Sequence, residues 1–358
     1  MEKRNYGIDA LRLFAMFQIV SLHLLGRGGI LSAADGMTGK LAWLLEVAAY
    51  GAVNCYGLIS GYVSYSETEK PYRYSKYASL WLQVFFYTFP ATLIAILLNT
   101  PGFGWDALPR AIFPVSSGYY WYFTAYTIVF FLTPWLNRML RGCDVKTLTA
   151  FVAAATFFLC AGSFLGNGLV GADPFRLHGG YSFVWLIYLW IVGAWLKKCD
   201  LPAKIPLWIS GVAGLFCLGI TYLFSVILSV GKPEFLSYIS PTVFVTSLCV
   251  FLLFARLRVG KTAEKIISFA SPAAFGVYLC HVQTVSWNRF LNQRYAPLGT
   301  LPAWAVIPAV LGSTAGLFLL CLLIEKFRLW LFRVTGIDAA AQKLWENLSA
   351  RLLRKDRS

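Results

Sequence analysis

Ten apolar segments, each close to the length that crosses a membrane, recur along this chain. A transmembrane helix needs about 20 predominantly apolar residues. Only 13% of the 358 residues are charged and 58% are hydrophobic, whereas a soluble domain carries about 25% charged residues. The pattern predicts an all-α polytopic membrane protein with about ten transmembrane helices, at 8–26, 41–63, 76–99, 118–137, 147–166, 181–196, 205–230, 238–255, 268–288 and 304–331.

The basic residues fall mainly in alternate loops between these segments. With the N-terminus in the cytoplasm, 23 of the 31 lysines and arginines lie in inner segments and 7 in outer loops, while Arg12 lies inside the first span. Cytoplasmic loops are enriched in lysine and arginine, so the alternation predicts that both termini are inside. The net charge of +15 then reflects topology, and we expect no nucleic-acid binding because no basic stretch with interleaved aromatic residues lies outside the helices.

Two regions are predicted, a single transmembrane domain over 1–336 and a cytoplasmic tail over 337–358. The tail has leucine at 344, 348 and 352, beside Trp345 and with basic residues on its other faces. This pattern is typical of an amphipathic helix on the inner membrane surface. The eight cysteines include no CxxC pair, so neither a metal site nor a disulfide framework is expected.

Ionisable side chains inside the spans are functional candidates, because a charge within the membrane is costly. Arg12 and His23 differ by about 20° around a helix and by roughly 16 Å along it, so they share one face. Arg12 lies near the inner surface and His23 towards the outer one. The alternative is that Arg12 extends to the inner surface and His23 makes a structural hydrogen bond.

His281 and Glu46 lie near the outer ends of the ninth and second segments. Histidine is suited to proton transfer near neutral pH, although a structural hydrogen bond is the alternative for His281. Depth alone suggests that Glu46 pairs with His23 or His281.

Two further sets have both a functional and a structural explanation. Arg73 and Lys76, at the inner end of the third segment, could clamp phosphate groups or anchor the helix at the surface. The aromatic run at 119–123 opens the fourth segment on the outer side. It could form an interfacial belt or stack on sugar rings.

Five motifs in chain order resemble those of the membrane acyltransferase 3 family, and they extend over about residues 6 to 330. The third motif has lysine where the family has a second arginine, which retains phosphate binding as a point charge. The motifs are Ile8-Asp9-Ala10-Leu11-Arg12 with His23, Tyr56 with Ser60-Gly61-Tyr62, Arg73-x-x-Lys76, Trp121-Tyr122-Phe123-Thr124-Ala125-Tyr126 with Pro134-Trp135-Leu136-Asn137, and Ser271-Pro272 with Phe275-Gly276-Val277-Tyr278-Leu279-Cys280-His281.

The resemblance implies transfer of an acyl group, usually acetyl, from cytoplasmic acyl-CoA to a hydroxyl or amine of an extracytoplasmic or lipid-linked glycan. It also implies a bacterial inner membrane, acetyl-CoA as co-substrate, and no extracytoplasmic hydrolase-like domain in this chain. His23 would be catalytic as a general base, and the pairing suggested for Glu46 would add it to the catalytic set. Acyl-CoA would be bound by Arg12, Ser60, Arg73 and Lys76, and the acceptor by Tyr119, Trp121, Tyr122, Tyr278 and His281.

A transporter or flippase for a lipid or glycan is the alternative function. Such proteins need alternating access and often show internal repeats and interrupted helices. No repeat is apparent, but Pro90, Pro134 and Pro308 could interrupt helices. Release of CoA from acetyl-CoA would distinguish the enzyme from the transporter.

Overall fold

A computed structural model describes residues 4–69 and 71–355 of the chain, and within them it contains helices and no β-strand. Seven helical segments are long and apolar enough to cross a membrane. This confirms the predicted all-α polytopic membrane fold. The number of crossings and their direction stay predictions.

Each of the ten predicted segments contains at least one helix. Shorter helical turns lie in the loops, among them Ile30–Ala33, Leu108–Ile112, Leu201–Lys204, Lys232–Phe235 and Thr284–Ser286. The long helices are α1 (Tyr6–Leu25), α2 (Gly36–Ala49), α3 (Ala52–Ser64), α4 (Lys76–Leu97), α5 (Trp121–Gly142), α6 (Val145–Val170), α7 (Phe183–Lys198), α8 (Leu207–Ile227), α9 (Pro241–Ala255), α10 (Lys261–Val282), α11 (Ala303–Thr335) and α12 (Ile337–Lys355).

Two features of the helices differ from the expectation. The second predicted segment contains two helices, α2 and α3, which are separated at Tyr50 and Gly51. Pro90, Pro134 and Pro308, which could have interrupted helices, lie inside the continuous helices α4, α5 and α11. In membrane proteins, neighbouring helices and polar side chains compensate for the hydrogen bond that proline removes.

The short helix α7 lies in the interior of the bundle. Ten of its 16 residues are buried, as is typical of a helix that is apolar on all faces. Its neighbour α3 approaches closely at two glycines. A Cβ atom on Gly61 would lie 1.8 Å from the carbonyl oxygen of Trp190, and one on Gly193 would lie 2.1 Å from that of Leu58. Small residues allow such close approach between membrane helices.

Helix α12 extends over most of the predicted amphipathic tail and packs against the start of α4. The Ser75 hydroxyl donates a hydrogen bond to Glu346 Oε1 at 2.8 Å. The rings of Trp345 and Tyr77 are in edge contact, with centroids 6.1 Å apart. The tail is therefore attached to the bundle by specific side-chain contacts.

Loops that were predicted to share the inner side lie next to one another. The Lys198 ammonium, at the end of α7, donates a hydrogen bond to the carbonyl oxygen of Leu140 near the end of α5. The alternation of loops across the membrane stays a prediction. Lys3 and Lys70, two of the predicted inner cations, lie outside the described residues.

Candidate active site

Helices α1 and α10 bring His23 and His281 into contact. His23 Nδ1 lies 2.8 Å from His281 Nε2, and His281 Nδ1 lies 2.6 Å from the carbonyl oxygen of Val277. Because a carbonyl oxygen can only accept, His281 Nδ1 carries a proton. In the neutral ring His281 Nε2 is then an acceptor, and His23 Nδ1–H is its donor. His23 Nε2 is left with a lone pair and, among the described residues, no hydrogen-bond partner.

The end of α10 fixes the position of His281. The ring of His281 bonds the carbonyl oxygen one turn back, and the helix ends at the next residue, Val282. The side chain of Gln283 then caps the following turn by accepting from Val285 N and Ser286 N. The hydroxyl of Tyr119 accepts hydrogen bonds from Gln283 Nε2 at 3.4 Å and from the Thr284 backbone N–H at 3.3 Å. These two hydrogen bonds attach Tyr119 to the turn that follows His281.

His23 lines a cavity of about 400 Å³, which we call the histidine cavity. Four residues predicted for the site, Glu46, Trp121, Tyr122 and Tyr278, line it as well. The histidines bond to each other, and Glu46 makes no hydrogen bond to either of them within the described chain. The remaining wall is largely aromatic, with Tyr50, Tyr56, Tyr181, Tyr238, Phe275 and Trp287.

A second cavity, of about 280 Å³, lies beside the first, and we call it the arginine cavity. Arg12 and Ser60, both predicted to bind the donor, line it. Three aromatic side chains line both cavities and so separate them: Tyr56, Tyr122 and Phe275. A ligand that moved these rings apart would reach from Arg12 to His23.

The Arg12 guanidinium is held in place by two polar side chains. Its Nη1 donates to Asp9 Oδ1 at 2.7 Å and to Ser271 Oγ at 3.1 Å. The other oxygen of Asp9 accepts from Arg4 Nε at 2.6 Å. Asp9 and Ser271 belong to the motifs in the sequence, which predict no contact with Arg12 for them. The three-residue spacing of Asp9 and Arg12 on a helix was the signal for an ion pair.

Arg73 and Lys76 line neither cavity, and both side chains are exposed. Lys76 begins α4, and Leu80 and Gln83 of the same helix line the arginine cavity. The two cations therefore lie at the end of a helix whose next turns form the cavity wall.

One comparison with known proteins identifies the family. A model for an acyltransferase domain, Acyl_transf_3, matches residues 5–326. The chain belongs to the acyltransferase 3 family. No curated protein and no solved structure matches it. The matched range contains every residue that lines the two cavities, so both lie within a domain that transfers acyl groups.

Several residues of the candidate site were not expected from the sequence. The Trp287 ring meets that of His23 edge-on, with centroids 4.9 Å apart. Tyr181 and Tyr238 come from loops before α7 and α9, and neither segment has a periodic pattern that would identify them. Among the described residues, no three His, Cys, Asp or Glu side chains come together as ligands of a metal ion would.

Proposed function

We propose that this acyltransferase moves an acyl group, acetyl in the simplest case, from cytoplasmic acyl-CoA to a hydroxyl or amine of an extracytoplasmic or lipid-linked glycan. The single observation that best supports this is the His23–His281 pair. It gives His23 Nε2 a free lone pair in the wall of an aromatic cavity, next to a second cavity that contains a fixed arginine. A bacterial inner membrane is the location that fits this proposal.

His23 acts as the general base in this proposal. Its Nε2 takes the proton of the acceptor hydroxyl while the hydroxyl oxygen attacks the carbonyl carbon of the thioester. The carbon–sulfur bond then breaks, and His23 returns the proton to the CoA thiolate. The products are the acyl ester and free CoA. His281 Nε2 accepts from His23 Nδ1–H throughout, which fixes the tautomer and stabilises the imidazolium that forms.

The donor enters from the predicted inner side. Arg12 and Ser60 bind it within the arginine cavity, while Arg73 and Lys76 attract its phosphate groups at the end of α4. The pantetheine arm passes between Tyr56, Tyr122 and Phe275 by moving these rings apart, and it carries the thioester to His23. The acceptor occupies the histidine cavity, against Trp121 and Tyr278.

The test is acetyl-CoA turnover by detergent-purified protein with a crude envelope glycan fraction as acceptor. We expect His23→Ala to abolish CoA release and Arg12→Ala chiefly to raise the KM for acetyl-CoA. His178→Ala is a matched control, since His178 is an exposed loop residue that lines neither cavity. If folded wild type releases no CoA and binds acetyl-CoA no better than the variants, the proposal fails and transport becomes the better explanation.

A further inference from the structure

Glu46 is a buried acid in the wall of the histidine cavity, and it has no hydrogen-bond partner among the described residues. The residue is 9% exposed, and its Oε2 is buried with no hydrogen bond to any part of the chain that the structure describes. Buried polar atoms are nearly always hydrogen-bonded in folded proteins. A buried polar atom without a partner in a cavity wall therefore indicates that a bound molecule supplies the missing hydrogen bond.

No cation among the described residues forms an ion pair with Glu46. Lys232 is a cation near Glu46. Its ammonium instead lies over the ring of Trp43, 3.5 Å from the centroid, where a cation–π interaction holds it. The carboxyl group is thus available to the contents of the cavity.

A second polar atom in the same wall also lacks a partner. The hydroxyl of Tyr278 is buried without a hydrogen bond. Together with His23 Nε2, the cavity wall has three polar atoms that form no well-aligned hydrogen bond within the described part of the chain. The same wall contains packed rings, in which the centroids of Trp121 and Tyr181 are 4.7 Å apart and those of Tyr181 and Tyr238 are 5.0 Å apart.

A few polar groups that converge on an apolar wall are typical of small-molecule sites. A sugar ring matches this arrangement, because its faces present C–H groups to aromatic rings and its edge presents hydroxyls to polar atoms. A volume of about 400 Å³ is near the lower end for ligand pockets and suits one ring rather than a longer piece of glycan.

We infer that Glu46 binds the acceptor, accepting a hydrogen bond from a hydroxyl of a single sugar ring, other than the hydroxyl that reacts at His23. This inference rests on the proposed function, since it takes the histidine cavity as the acceptor site. It gives Glu46 a positioning and selecting role and leaves the proton transfer to His23. Loss of the Glu46 carboxylate therefore removes the preference for a sugar that carries that hydroxyl.

The experiment is a double-mutant cycle between protein and ligand. Binding of the methyl glycosides of glucose, galactose and N-acetylglucosamine to the full-length protein is followed by tryptophan fluorescence, since Trp121 and Trp287 line the cavity. The monodeoxy analogues of the best ligand are then compared. We expect one deoxy analogue to bind wild type roughly 10- to 100-fold more weakly, because it leaves the buried Glu46 carboxyl group without a hydrogen-bond partner. Glu46→Ala should bind the parent glycoside and this deoxy analogue with nearly equal affinity.

Two further variants make the result specific. Glu46→Gln keeps one acceptor oxygen and should retain part of the discrimination. Glu264→Gln, a carboxyl outside both cavities, should behave as wild type. The inference is overturned if Glu46→Ala discriminates between the analogues as wild type does. It is also overturned if no glycoside binds while acyl transfer to envelope glycan proceeds. Absence of acyl transfer alone would instead refute the proposed function, because sugar binding is measured without the donor.

Discussion

His281 acts on the reaction only through His23, because both of its ring nitrogens are engaged in hydrogen bonds. Replacing it with alanine removes the acceptor for His23 Nδ1–H, so the His23 ring loses its fixed tautomer and orientation. We expect kcat to fall roughly 10²-fold, at the low end of the range for a positioned acid–base group. The KM values for acetyl-CoA and acceptor should stay near those of wild type in steady-state assays.

His281→Gln provides the conservative comparison. Its amide oxygen can accept from His23 Nδ1–H, so it should recover part of the lost kcat, whereas a purely structural defect would lower stability in both variants. The sequence suggested that His281 contacts the acceptor. A rise in the acceptor KM at unchanged kcat would support that assignment and contradict a positioning role.

Local periodicity could place Arg12 and His23 on one face of a single helix, but it could not supply their partners. His281 is 258 residues from His23 in the chain, and Ser271 is 259 residues from Arg12. Such contacts depend on how α10 packs against α1. The pairing suggested for Glu46 had depth as its only support, and depth does not distinguish between neighbours at the same level of a bundle.

At the scale of helices, the Ser60-Gly61-Tyr62 motif has a packing explanation. A Cβ at Gly61 would overlap the carbonyl oxygen of Trp190, and this backbone atom cannot move aside as a flexible side chain would. We expect Gly61→Ala to separate α3 from α7 and to lower the thermal midpoint of the detergent-solubilised protein by several degrees, as a cost of about 1–3 kcal/mol for overpacking would.

Gly211→Ala is the matched control for that substitution. Gly211 lies within α8, and an added Cβ would meet no atom within 4 Å. Alanine also favours the helix by up to about 1 kcal/mol relative to glycine, so this variant should melt at or slightly above the wild-type temperature. Equal melting of both variants would show that α3 and α7 are not as closely packed as the structure has them.

Another contact between helices was not foreseen from the sequence. Arg328 in α11 forms a two-pronged ion pair with Glu325, at 2.6 and 2.9 Å, and Tyr87 of α4 donates to the same carboxylate at 2.7 Å. Acid–base pairs three residues apart are common on exposed helix faces. Only the packing of α4 against α11 shows that the Glu325–Arg328 pair is buried and connects two helices.

For the whole molecule, the apolar segments predicted the positions of the helices, because the thickness of the membrane fixes how long and how apolar a spanning helix must be. Every predicted segment contains a helix, while the ends differ by several residues, as at α5, which begins at Trp121 and ends at Gly142. The two cavities could not be predicted, since they are spaces left between helices. They arise from side chains that no local pattern brings together.

The alternation of basic loops predicts which side each exposed loop faces, and this can be tested with single cysteines. In a variant whose eight native cysteines are replaced, we would introduce cysteine at Lys40, Lys146, Arg176 and Lys265, all exposed in the structure. A membrane-impermeant maleimide on intact cells should label Lys40→Cys and Arg176→Cys. It should label Lys146→Cys and Lys265→Cys only after the membrane is opened, because positively charged loops are retained inside. Labelling of Lys40→Cys and Lys146→Cys from the same side would require an even number of crossings between them. That result would contradict the three crossings predicted there and, with them, the placement of the arginine cavity on the side of acyl-CoA.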